Sequence, residues 1–172
     1  WSRGLGDVYK RQVWKHLERA ISGKGDLDCA LDISNWNDFE NFLIQYLREK
    51  NYKGTLLECN HVPYARLLCF LPCESDSIIE IDICDSISMK GTRWAYAVNL
   101  KKHSHIRNGI RQLQPGCESL VLATLGNSWS LSKISKSKDR EIILLGLHKY
   151  RNEMHKAAAD IFPAFLNTVL HK

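Results

Sequence analysis

Three acidic residues stand out by type and spacing. Asp26 and Asp28 flank Leu27 in the run GKGDLDCAL, and Asp82 sits between isoleucines in IIEIDI. Both runs place apolar residues with period two, the pattern of a half-buried strand. Successive strand side chains point to opposite faces, so Asp26 and Asp28 emerge together while Leu27, Cys29 and Leu31 turn inward. In the second run Ile79, Ile81 and Ile83 form the inward row, and Asp82 faces outward with Glu80. If the two strands are neighbours, three carboxylates converge on one face of one sheet. Like charges that close are costly unless a cation neutralises them, and an all-oxygen ligand set suits Mg²⁺. The chemistry expected of such a cluster is metal-assisted phosphoryl transfer.

Several elements must hold these runs in place. Ser22-Gly23-Lys24-Gly25 reads as a turn leading into a strand over 26–32. Ser34 to Asn37 offers capping residues for a helix. In it Phe39, Phe42, Leu43, Tyr46 and Leu47 keep the spacing of one apolar helical face, and it ends near 51–54. Thr55–Cys59 and Ala65–Leu71 read as strands, the second forming a hairpin with 77–84. Val13 to Ile21 reads either as the end of a strand or as a helical turn. Beyond Met89, Trp94–Leu100 alternates weakly, Ile106–Leu113 reads as a short helix, and Glu118–Leu125 as a strand or a buried helix. Ser130–Lys138 reads as a basic loop. A helix is predicted from about Asp139, with Asp139 and Glu141 in its first turn, continuing to Pro163. A strand–helix–strands series followed by helices is an α+β pattern, a mixed sheet packed by helices with a C-terminal helical region.

Composition narrows the class. Residues 2–12, SRGLGDVYKRQ, resemble a translated sequencing adapter, so natural sequence is expected to begin near Val13. Setting 1–12 aside removes Arg3, Lys10, Arg11 and Asp7, and the net charge goes from +5 to +3. That suits an anionic substrate such as a nucleotide but does not indicate nucleic acid. The six cysteines show no zinc-type pairing, no apolar run spans a membrane, and the cytoplasm is the expected compartment. His103-Ser104-His105 has strand spacing for two metal ligands, but nothing near it completes a set. Lys90-Gly91 and the run Lys133, Lys136, Lys138 could contact anions, yet a turn and a solvated loop explain them more simply.

The acidic runs and the elements between them resemble the DNA polymerase β-like nucleotidyltransferases, in the branch of small bacterial members. That superfamily carries a glycine turn, a D-x-D strand, a helix, and a later strand with a third acid between apolar residues. GKGDLDCAL and IEIDI match those parts over residues 13–100, and 101–172 forms a C-terminal extension. The resemblance implies a nucleoside monophosphate moved from an NTP, ATP in the first instance, to a hydroxyl acceptor. It implies Asp26, Asp28 and Asp82 as catalytic residues and Mg²⁺ ligands, with Gly23, Lys24 and Gly25 binding the nucleotide. One departure is plain: the family's Gly-Ser pair is missing upstream of Asp26, where Lys15 or Lys24 would have to supply charge. A catalytically degenerate domain binding nucleotide or protein is the alternative. A metal-dependent nuclease ranks below both, since it needs a lysine near the paired acids and no E-x-K follows Glu80.

Overall fold

A computed structural model describes residues 12–15, 26–74, 78–89, 92–107, 109–126 and 130–162. The Gly23, Lys24 and Gly25 turn and Lys90-Gly91 lie outside these residues. The first strands are β1 (Gln12–Lys15) and β2 (Leu27–Ala30). Gln12 itself pairs with Ala30. The strand expected over 26–32 is shorter because the chain turns at Asp32, whose carboxylate accepts from the Ser34 N–H at 2.9 Å and caps a 3₁₀ turn over Ile33–Asn35.

Helix α1 (Trp36–Glu49) follows, buried along Trp36, Phe39, Leu43 and Leu47, with Phe42 and Tyr46 half-buried and stacked at 6.3 Å. Trp36 Nε1 donates to the Leu31 carbonyl at 2.9 Å, which fixes the angle between β2 and the helix. The helix ends in a Schellman closure: Tyr52 N bonds the Leu47 carbonyl, Asn51 N bonds the Arg48 carbonyl, and Asn51 adopts φ 54°. Asparagine tolerates that left-handed conformation better than most residues.

The chain then forms β3 (Gly54–Val62), β4 (Ala65–Pro72) and β5 (Ile79–Cys84), an antiparallel meander. Strand β5 lies parallel to β2, so α1 carries the chain to the far edge and two hairpins bring it back. A second, two-stranded sheet pairs β6 (Ser86–Met89) with β7 (Thr92–Tyr96). After a short helix, α2 (Ala97–Leu100), come β8 (Ser104–Arg107) and β9 (Ile110–Leu113). The main sheet has the order β3-β4-β5-β2-β1-β9-β8, with β1 antiparallel to β2 and parallel to β9. The remaining helices are α3 (Pro115–Leu125), α4 (Leu131–Ile134), α5 (Arg140–His148) and α6 (Arg151–Ile161). The protein is thus α+β, a mixed sheet packed by helices.

Two cores sit on opposite sheet faces. Cys29, Leu31, Ile81 and Ile83 pack with Leu68, Phe70 and the apolar stripe of α1. Ala30 on the other face joins Trp94, Leu113, Leu120 and Ile161, drawn from β7, β9, α3 and α6. No helix among the described residues is long and apolar enough to cross a membrane.

Three expectations are corrected, and one left between two readings is decided. Ile106–Leu113 is a β-hairpin, not a helix, and Gly109 at φ 75° makes its turn. Of the two readings for Glu118–Leu125 the buried helix is the one observed, and burial on nearly every side is why no helical period marks it. The basic stretch 130–138 contains the short α4, held by Ile134 in a small core with Leu122, Ala123 and Ile143. The long C-terminal helix is two helices, broken at Lys149-Tyr150, because each packs on a different part of α3. Ser119 meets α5 at Gly146, and Gly116 meets α6 at Tyr150, Glu153 and Met154. One straight rod could not touch both.

A Cβ on Gly146 would overlap the Cβ and Oγ of Ser119. Alanine normally gains about 1 kcal/mol over glycine inside a helix. Overlap in a packed crossing costs about 1–3 kcal/mol, so the clash prevails. Gly146→Ala should lower the urea midpoint, and adding Ser119→Gly should restore part of it. A stabilised single variant would show that the crossing is looser than this.

Candidate functional site

Strands β2 and β5 place the acids. Their register pairs Leu27 with Ile81, Asp28 with Asp82, Cys29 with Ile83 and Ala30 with Cys84. Cys29, Leu31, Ile81 and Ile83 must face α1, so the period of two sends Asp28 and Asp82 to the opposite face, side by side. The expectation that Asp28 and Asp82 share one face of adjoining strands is met. Asp28 is 1 % exposed, whereas Asp82 is half-buried. Asp26 precedes β2 and is exposed; alternation puts it on the side of Asp28, level with Glu80, which is also exposed. Ile79 departs from the predicted inward row: at the start of the strand, it is 36 % exposed.

The same register continues outward in both directions. Lys15 of β1 is the partner of Asp28, after an irregularity between Val13 and Lys15. Leu67 of β4 is the partner of Asp82, and Cys59 of β3 the partner of Leu67. One transverse row therefore reads Lys15, Asp28, Asp82, Leu67, Cys59. The lysine beside the acids was not found from sequence as a neighbour of Asp28, because the irregularity shifts β1 by one residue.

Asp85, next to the end of β5, has a different task. Arg93 Nη2 holds both its oxygens at 2.7 Å, and Ser86 Oγ donates to it at 2.9 Å. Arg93 Nε also donates to Ser86 Oγ at 2.7 Å, and its guanidinium lies over the rings of Tyr64 and Tyr96 at 5.0 and 5.1 Å. This clamp ties the β6–β7 hairpin to the end of β5. Arg66 is likewise committed, on the α1 side, to Glu40 at 3.1 Å and Glu58 at 2.8 Å, with Trp36 beneath it. Arg66 thus lies on the opposite face from the acidic pair.

The two imidazoles of the His103-Ser104-His105 run have separate partners. Buried His103 pairs through Nε2 with Asp160 at 2.8 Å and docks the turn before β8 onto α6, while His105 Nε2 meets Gln112 at 3.1 Å. Among the described residues no three His, Cys, Asp or Glu side chains already stand as a metal-holding group. The donor set on β2 and β5 is nonetheless all carboxylate oxygen, the chemistry that a hard divalent cation requires, and strand spacing puts the two carboxylates within reach of one ion.

The thiols near the site report its field. Burial first, then the carboxylates and thiols of Asp82, Cys29, Asp28 and Asp85, holds Cys84 far above the ordinary thiol range. Burial, with Glu118 and Glu153, pushes Cys117 up to about 12. At about pH 8 a maleimide should label exposed Cys59 and Cys73 in the native protein and leave Cys84 and Cys117 unmodified. Above pH 9.0 an unfolded Cys117 ionises while the folded one keeps its proton, so its contribution is intact below that pH and declines as pH rises toward about 12. Cys117→Ala should make the alkaline fall of the urea midpoint shallower; an unchanged slope would remove this thiol from the account.

Comparison with family models, with curated proteins and with solved structures finds no match for the chain.

Proposed function

We propose that the protein is a nucleotidyltransferase of the polymerase β-like type, moving a nucleoside monophosphate from an NTP, ATP first among them, to a hydroxyl. The observation that carries this reading is the register of two parallel strands that sets Asp28 beside Asp82, with Asp28 withdrawn from water. Carboxylates at paired register positions make an all-oxygen donor set of the kind a divalent cation takes, which supports the reading. Asp26, Asp28 and Asp82 would hold Mg²⁺. When bound, the ion neutralises triphosphate charge and favours in-line displacement at the α-phosphorus. Asp82, at the more open position, accepts the proton of the acceptor hydroxyl as that oxygen bonds the α-phosphorus and pyrophosphate leaves with the bridging oxygen. Lys15 is the register partner of Asp28, and with the Gly-Ser pair missing, Lys15 or Lys24 would supply charge to the phosphates. Gly23, Lys24 and Gly25 complete the proposed phosphate cradle.

A second reading gains from the same lysine. A two-metal nuclease needs a cation beside paired acids, and Lys15 occupies such a register position. Calorimetry with Mg²⁺–ATP and with Mg²⁺–ADP, followed by pyrophosphate release over a panel of hydroxyl acceptors, separates the two. Nucleotide binding with pyrophosphate release supports transfer, nucleotide binding alone a degenerate domain, and cleavage of DNA without nucleotide binding the nuclease.

Asp82→Asn should reduce pyrophosphate release at least about a hundredfold, the scale of losing a general base, with the far-ultraviolet circular dichroism unchanged. Asp28→Asn should weaken Mg²⁺–ATP binding itself. Full turnover in either variant would remove that residue from the site.

A further inference from the structure

We propose that Cys59 and Cys69, on the paired strands β3 and β4, form a two-thiolate site for a soft monovalent cation of the Cu⁺ class. The site does not depend on the nucleotidyl-transfer reading above. Register pairs Leu57 with Cys69 and Cys59 with Leu67, so the two cysteines are diagonal neighbours across the hairpin. Leu56, Leu68 and Phe70 pack against the stripe of α1, and alternation therefore sends both thiols to the opposite face. Both are free thiols, Cys59 exposed and Cys69 half-buried. On the other side of Cys69, β5 supplies Glu80 as its register partner. The thiols also sense one another: burial first, then the charges of Glu80 and Cys59, raises the Cys69 pKa above the usual thiol value.

Distance decides what two such thiols can hold. Diagonal neighbours in an antiparallel pair have Cα atoms about 7–8 Å apart, with the Cβ atoms somewhat nearer. A disulfide joins sulfurs about 2.05 Å apart and takes Cα separations only up to about 6.8 Å, so closing one here would require the backbone to move. A bridging metal relaxes that demand. With each metal–sulfur bond at about 2.3 Å, the two sulfurs of a linear site stand about 4.6 Å apart. Zn²⁺ takes four ligands, and among the described residues no three His, Cys, Asp or Glu side chains stand as a metal-holding group. A pair of thiolates suits a soft ion such as Cu⁺ instead. Binding exchanges two S–H protons, released to solvent, for two S–Cu bonds, and the copper keeps its oxidation state. The other exposed thiol, Cys73, lies four residues beyond Cys69, about 13 Å along the chain at strand rise, too far to share the ion.

The test titrates the whole, reduced chain with Cu⁺ under nitrogen against bicinchoninate, whose coloured complex fades as the protein takes the ion. Wild type should take one tightly held equivalent, after which maleimide should still label Cys73 but no longer Cys59. Cys73→Ser should leave the affinity unchanged. Cys59→Ser and Cys69→Ser should each weaken it at least about a hundredfold, because a single thiolate loses the effective concentration of its neighbour. Cys69→Ala takes the place of Cys69→Ser where the hydroxyl disturbs the circular dichroism. Copper affinity that ignores Cys59, or that falls as far in Cys73→Ser, overturns the site. Prompt closure of a Cys59–Cys69 disulfide by oxidised glutathione also overturns it, since the sulfurs would then stand at bonding distance.

Discussion

The obligation of one strand row to face α1 controls everything else about the site. Cys29, Leu31, Ile81 and Ile83 are buried against that helix, and a slip of either strand by one residue would turn those side chains to water and the carboxylates into the core. Register in this part of the sheet is therefore fixed by apolar burial, and the acids inherit their meeting place from it. The acidic pair needs no mutual attraction to be adjacent. Hydrophobic burial of the alternate positions is enough to bring the two acids to one row.

Around that pair the protein disposes of its other charges in closed sets. Arg93 with Asp85, Ser86 and two tyrosines, Arg66 with two glutamates and a tryptophan, and His103 with Asp160 each satisfy themselves locally. Each set also fastens one element to another: hairpin to strand, helix to meander, turn to helix. The sheet face bearing Asp28 and Asp82 divides further, with the lysine position on one flank and leucines on the other.

Local patterns made the N-terminal half readable. The stripe of α1 and the alternation of 27–31 and 79–84 each follow from one face being buried and one not, and that asymmetry is written directly into residue order. The shared face of Asp28 and Asp82 was readable to the same degree, because both alternate with such rows. Their registration was not, since pairing of strands far apart in sequence leaves no local mark. The errors gather where the asymmetry vanishes. Helix α3 is buried on nearly every side, so no period separates strand from helix there, and the β8–β9 hairpin is broken up by His105, Arg107 and Arg111, although Asn108-Gly109 is a turn signal that could have found it. The break between α5 and α6 depends on Gly116 and Gly146 meeting other helices, contacts set by tertiary packing alone.

The place of β1 in the sheet has a kinetic corollary. Among the described strands it bridges the meander and the last hairpin in the order β2-β1-β9, and it joins β9 through the pairing of Val13 with Gln112. A ribosome must therefore make nearly a hundred further residues after Val13 before that seam can close. Until then β1 presents a free edge, which its antiparallel union with β2 leaves exposed on the far side. Such a distant partnership raises contact order and slows completion of the fold, so this seam is where misassembly between nascent chains would begin.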